Sequence, residues 1–205
     1  MTEILQSKRV GSLRRLGLLV GVILCIGFSL FFVSIGVVGL YGFSSDALPF
    51  RLMARVFPFP AARVNGELIR YSVWSDDTRA FVGLAEAGKE SIPDALTRHD
   101  IAQSVLDRLV RNQVLERVAE EKGISITDSE VDAEYLRVTE KKEDAASMKT
   151  TLKTLDWSVA DVKLQIIRPY LLGRRLTERL GSVAAADVVL VKALQEANVQ
   201  VYVRF

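Results

Sequence analysis

The sequence predicts a mainly α protein: one N-terminal transmembrane helix, then a helical domain whose ends are joined by a small two-stranded β element. Three observations predict it. From Leu16 to Gly42 the chain reads LGLLVGVILCIGFSLFFVSIGVVGLYG, without Asp, Glu, Lys, Arg or His. Crossing a bilayer takes roughly 20 apolar residues of helix, and this run is longer. Past residue 70, apolar residues recur every three or four positions between capping residues, the period of amphipathic helices. Short alternating segments near residue 62 and at the C-terminus supply the strands. The expected organisation is a basic tail (1–15), a span (16–42), a juxtamembrane linker (43–60) and a helical domain (61–205).

Composition narrows the function classes. A net charge of +2 over 205 residues, with no basic stripe interleaved with aromatics, argues against a nucleic-acid binder. The 49% hydrophobic content is inflated by the span. The sole cysteine, Cys25, lies inside the apolar run, so an intrachain disulfide is impossible and the domain must fold by core packing.

In the tail, Lys8, Arg9, Arg14 and Arg15 stand against Glu3. Cations beside a span favour the cytoplasm, which places the N-terminus inside and the domain outside the cytoplasmic membrane. Arg51 and Arg55 pull the other way with only Asp46 opposing them, but the cluster that abuts the span outweighs them. A cleaved signal peptide has an apolar region of about 7–15 residues, so the longer run here reads as an uncleaved anchor in the lipid bilayer. Gly17 and Gly21 have the spacing that lets membrane helices approach, compatible with a homodimer through the span; glycine is also common in such helices for other reasons. Residues 47–59 (ALPFRLMARVFPF) read either as a short helix lying in the interface or as a linker, and Pro58 and Pro60 end any helix there.

Ala61 to Ile69 reads as a strand, a tight Asn65-Gly66 turn and a return. Tyr71, Trp74, Phe81 and Leu84 predict the inner face of a helix over 72–86, interrupted by Gly88 and Pro93. Thr97 with Asp100 resembles a cap. Behind it Ile101, Val105, Leu109, Val114, Leu115 and Val118, widened by Leu106 and Val110, predict a helix of about six turns, and Gly123 suits its left-handed stop. Thr127-Asp128-Ser129-Glu130 is a capping box opening a helix with Val131, Tyr135, Leu136 and Val138. The charged run 140–144 reads as a solvated break, followed by a short helix with Met148, Leu152 and Leu155. Ser158 with Asp161 caps a longer helix bearing Val162, Ile166, Ile167, Tyr170, Leu171, Leu172, Leu176 and Leu180, kinked by Pro169 near Gln165–Arg168. Residues 184–196 predict a last helix, and Val199–Phe205 a strand whose best partner is Ala62–Asn65.

This order of elements resembles the SurA N-terminal domain family, the chaperone module of the SurA, PpiD and PrsA group. The residues that carry the resemblance are Val64-Asn65-Gly66 after the first strand, and Leu109-Val110, Val114-Leu115 and Ala119 in the long helix. Gly123-Ile124-Ser125-Ile126-Thr127-Asp128-Ser129-Glu130-Val131 follows, then the later helices with Leu152, Leu155, Trp157 and 166–172. It covers about residues 58–180. Many relatives carry a parvulin-type prolyl isomerase domain; residues 181–205 are too few for one, and parvulin sites use paired histidines whereas this chain has 1 histidine. The resemblance therefore implies the chaperone module without the isomerase.

Chemistry is sparse. His99 could shuttle a proton or bind a metal, but no second ligand or nucleophile accompanies it, and an exposed histidine at a helix start is the simpler reading. Asp76-Asp77 and Glu120-Glu121 read as cap-region or solvated charges. No phosphate loop, Cys/His cluster or Gly-x-Ser-x-Gly is present, so no catalytic residue, metal or cofactor is expected. Tyr71, Trp74, Phe81 and Trp157 are the candidate client-binding residues, with burial in the core as the competing reading. The expected function is a single-pass, membrane-anchored, extracytoplasmic chaperone-like protein holding unfolded, newly exported polypeptides. The alternatives are a scaffold subunit for one membrane or envelope partner and, less favoured, a prolyl isomerase.

Overall fold

The computed structural model describes residues 53–87, 97–140, 142–155 and 157–204, together with Ser34. The basic tail, the run 16–42 apart from Ser34, and the homodimer expected through that run lie outside these residues. Among the described residues no helix is long and apolar enough to cross a membrane. The chain divides into two compact units, Met1–Phe57 and Pro58–Phe205. In the first, residues 53–56 form one helical turn, with Phe57 N–H donating to the Met53 carbonyl at 2.8 Å.

The second unit begins with a hairpin of β1 (Pro60–Val64) and β2 (Glu67–Arg70). Asn65 (φ 52°) and Gly66 (φ 91°) both take positive φ, as a two-residue hairpin turn requires. β3 (Val199–Val201) pairs antiparallel with the other side of β1, Ala62 facing Val201 and Val64 facing Val199. The sheet is therefore three-stranded, β2-β1-β3, rather than two-stranded. The return after the turn pairs as well as the C-terminal strand, because β1 offers hydrogen-bonding groups on both sides. Asn65 clamps the join: its N–H donates to the Asn198 carbonyl at 2.9 Å, and its Oδ1 accepts from Asn198 N–H at 2.9 Å.

α1 (Tyr71–Ala87) follows β2 directly. α2 (Arg98–Glu121) opens with a complete capping box: Thr97 Oγ1 accepts from Asp100 N–H at 3.2 Å, and the Asp100 carboxylate from Thr97 N–H at 2.9 Å. Aspartate thus does the work usually given to glutamate. Gly123 (φ 67°) follows the helix end as expected. α3 (Asp128–Val138) carries the Thr127–Glu130 box. α4 (Lys142–Leu155) starts inside the charged run expected as a break, so that break is shorter than its charges suggested. Lysine, glutamate and alanine are good helix formers, so a charged run can continue as helix.

α5 (Val159–Val162), capped by Ser158 and Asp161, runs through a π-helical turn at Lys163–Ile167 into α6 (Arg168–Leu180). The disturbance expected from Pro169 takes this form. Proline has no N–H for the carbonyl four residues back, and that carbonyl, of Gln165, instead accepts from Asn112 Nδ2 at 3.5 Å. α7 (Val183–Glu196) precedes β3.

The core lies where α2 meets α1, α6, α7 and β1. Leu176 and Val64 are its most enclosed large side chains. The apolar stripes overreach: Leu84, Leu136, Ile166 and Tyr170 are exposed. Periodicity marks a face, not how far the neighbouring helix covers it.

Candidate functional site: an apolar pocket between two helices

The four candidate aromatics separate into two pairs. Tyr71 and Trp74, near the start of α1, are both buried and meet edge to face at 5.3 Å. Trp74 Nε1 donates to the Ala102 carbonyl of α2 at 2.9 Å, so the indole is fully engaged in joining the two helices. For this pair the core reading holds. Phe81 and Trp157, half-buried, form a second edge-to-face pair at 5.9 Å.

Beside Phe81 the surface opens. Phe81, Leu84 and Ala85 of α1 face Ile101, Ser104, Val105 and Arg108 of α2 across a pocket of about 310 Å³. The volume is at the low end of the range for small-molecule sites. Trp157 does not line the pocket; it backs Phe81. Among the described residues, the side chains of the wall are carbon except at Ser104 and Arg108.

Arg108 holds the polar end. Its Nη2 donates to Asp77 Oδ2 at 2.6 Å, while the guanidinium carbon lies 5.4 Å from the Phe81 ring centre and 5.9 Å from that of Trp157. Asp77 is only 4% exposed, which corrects its expected role as a solvated charge. Its helical position faces α2, whereas its neighbour Asp76 pairs outward with Arg79 at 3.0 Å. Burial pushes the Asp77 carboxyl above its ordinary range, and the Arg108 charge and hydrogen bond only partly offset this. Arg108 Nη1 and Trp157 Nε1 are both buried without a hydrogen-bond partner among the described residues.

Arg108, Asp77 and Ser104 escape a reading of the sequence alone. Asp77 and Arg108 lie 31 positions apart, and no short motif links them. His99 is exposed in the first turn of α2, and among the described residues no cluster of His, Cys, Asp or Glu could hold a metal. Of Glu120-Glu121, the second pairs with Arg117 at 3.2 Å, an ordinary surface contact.

A second groove, of about 410 Å³, lies between β2, α2 and the π turn and is lined by both charged and apolar side chains, among them Glu67, Leu68, Gln113 and Arg168.

The model of the SurA-like N-terminal domain matches residues 12–168, well over half of the chain. The chain belongs to the SurA-like N-terminal domain family. This is a chaperone-like module of the prolyl-isomerase group, associated with binding unfolded polypeptides. The match starts earlier than the motifs in the sequence suggested, ahead of the apolar run, and stops at Arg168. It therefore takes in both helices of the pocket, while α7 and β3 lie beyond it. No curated protein and no solved structure matches the chain.

Proposed function

We propose that this protein is a membrane-anchored, extracytoplasmic chaperone-like protein that holds unfolded, newly exported polypeptides without catalysing a reaction on them. The observation that carries the reading is the open apolar pocket between α1 and α2, within the matched part of a family associated with unfolded chains. Affinity would come from removing client side chains from water. The uncharged run 16–42 supports anchoring, and the basic tail supports an N-terminus inside the cytoplasm. An anchor raises the concentration of the domain where clients emerge.

The test uses the unit from Pro58 onward, its folding first checked by circular dichroism. It is added to several unrelated unfolding proteins while light scattering is recorded. Suppressed aggregation of more than one client at near-equal concentrations is the expected result. No suppression of any client would refute the reading.

One observation favours a second reading, a scaffold subunit for one envelope partner. Val183, Val188 and Val191 on α7, with Val199, Val201 and Tyr202 at the C-terminal strand, are all exposed. A single protein that co-purifies with the full chain and is lost on Val188→Asp and Val191→Asp substitution would establish it. Measurable isomerisation of a prolyl peptide would overturn both readings.

A further inference from the structure

We propose that the outward face of α7 pairs with the same face of a second copy of this chain, the two helices running parallel. The pairing stands apart from client holding and does not depend on it. The inner face of α7 is already used: Ala186 and Leu190 are buried, and the helix contacts α2 and α6. On the outward side Ala184, Val188, Val191 and Gln195 are all exposed, the two valines at 69% and 51%.

These four residues are spaced by four, three and four positions, the repeat that keeps one seam of a helix against a partner helix. A helix face turned only to water is ordinarily polar. In that repeat Val188 takes the a position, where β-branched side chains favour two-stranded pairs. The helix is formed and held by its inner face before association, so pairing orders little. The seam spans only about 17 Å at the rise of an α-helix, so the pair is expected to be reversible.

The choice of a second copy follows from charge. Asp187 and Lys192 flank the seam on opposite sides, each about 70° from its middle at 3.6 residues per turn. They are five positions apart, the offset at which flanking residues of two parallel helices meet. Asp187 of each copy then lies beside Lys192 of the other, and the match is made twice. An antiparallel pair would set aspartate beside aspartate and lysine beside lysine, which repel. One helix therefore carries both halves of the match, as a twofold interface requires. Gln195 agrees with this, since an amide both donates and accepts and so complements its own copy. Lys192 also lies 3.8 Å from Glu196 of its own helix, an exposed contact too weak to prevent the exchange.

The test uses the full chain in lipid vesicles, with donor- and acceptor-labelled copies mixed and energy transfer followed as lipid is added. The wild type should associate. Val188→Asp, at an exposed position, should weaken association at least about tenfold without changing the circular dichroism. Asp187→Lys and Lys192→Glu should each weaken it about tenfold, because two attractive contacts become repulsive. Both substitutions in one chain should restore it. Val191→Cys, in a chain whose Cys25 is replaced by alanine, should cross-link to its own copy on mild oxidation, as a parallel seam requires.

Wild-type association in Val188→Asp would place the contact elsewhere and overturn the proposal. A monomeric wild-type chain would do the same, and if its α7 variants also lost a co-purifying protein, the face would pass to that partner. Single charge variants that associate like the wild type, or a double variant no better than either single, would overturn the parallel pairing.

Discussion

Two tryptophans that look alike in the sequence behave differently because only one meets an acceptor among the described residues. Trp74 donates its indole N–H to the Ala102 carbonyl, whereas the indole N–H of Trp157 is buried without an acceptor among those residues. Replacing either by phenylalanine removes similar side-chain volume, but Trp74 is buried and Trp157 half-buried, so the difference between the variants joins the hydrogen bond to the larger cavity left at Trp74. Trp74→Phe is expected to cost about 1–2 kcal/mol more than Trp157→Phe, since only the first loses a made bond and the second removes an unmet donor. Urea denaturation of both variants checks this, and equal losses would show that Trp157 has found an acceptor. The spacing of Tyr71, Trp74 and Phe81 in the sequence pointed to one helix face, but not to which ring nitrogen would meet a carbonyl.

At the scale of elements, α3 is held to its neighbours by charge. Its acidic residues alternate, and Asp128, Glu130 and Asp132 meet Arg168, Arg175 and Lys163 at 3.3, 2.5 and 2.8 Å. Individually such exposed pairs contribute little. Carboxylates in this element and at the start of α2 give the fold a pH dependence. Hydrogen bonds from Thr127 hold the Glu130 carboxyl below its ordinary value, the bond from Arg137 does so for Glu134, and those from Thr97 for Asp100. A carboxyl with a lowered folded pKa stabilises the fold fully above its ordinary value and ceases to do so as pH falls through the folded one. With ordinary values of 4.5 for glutamate and 3.8 for aspartate, thermal stability should hold from neutral pH and then decline below about pH 4.5. Glu130→Gln keeps a capping acceptor but not the charge, so its melting temperature between pH 7 and 3 should vary less. Asp77, whose carboxyl is raised, acts in the opposite direction, its ionised form becoming less costly to avoid as pH falls. A decline of equal size in Glu130→Gln would remove that carboxylate from the account.

Across the whole molecule, one asparagine joins the ends of the second unit. Asn65 and Asn198 are 133 positions apart and exchange two hydrogen bonds. Asn65 also holds positive φ. Asn65→Gly keeps the turn and loses the side-chain acceptor, at an expected cost of about 1 kcal/mol. Asn65→Ala adds left-handed backbone strain, for about 2 kcal/mol or more in all. Chemical denaturation of the two variants checks the order: equal costs would mean that the left-handed strain contributes nothing, and an unchanged stability of Asn65→Gly that the side-chain bond contributes nothing. In native-state hydrogen exchange, both should raise the exchange of β1 and β3 together, because β1 lies between its two partners.

By itself the sequence determined what depends on neighbours three or four positions apart. The boxes at Thr97, Thr127 and Ser158, the Asn65-Gly66 turn and the stop at Gly123 are all local hydrogen-bond or φ requirements, and all were readable. The pairing of the last strand with Ala62–Val64 was also legible, since it was the one alternating segment in need of a partner. Tertiary structure decided the rest: the third strand, the burial of Asp77 beside Arg108, the separation of Tyr71 and Trp74 from Phe81 and Trp157, and the pocket. Each depends on how one helix face meets another. Apolar periodicity says that a face will be buried, but not which residue stands opposite or where the covering element ends and an opening begins.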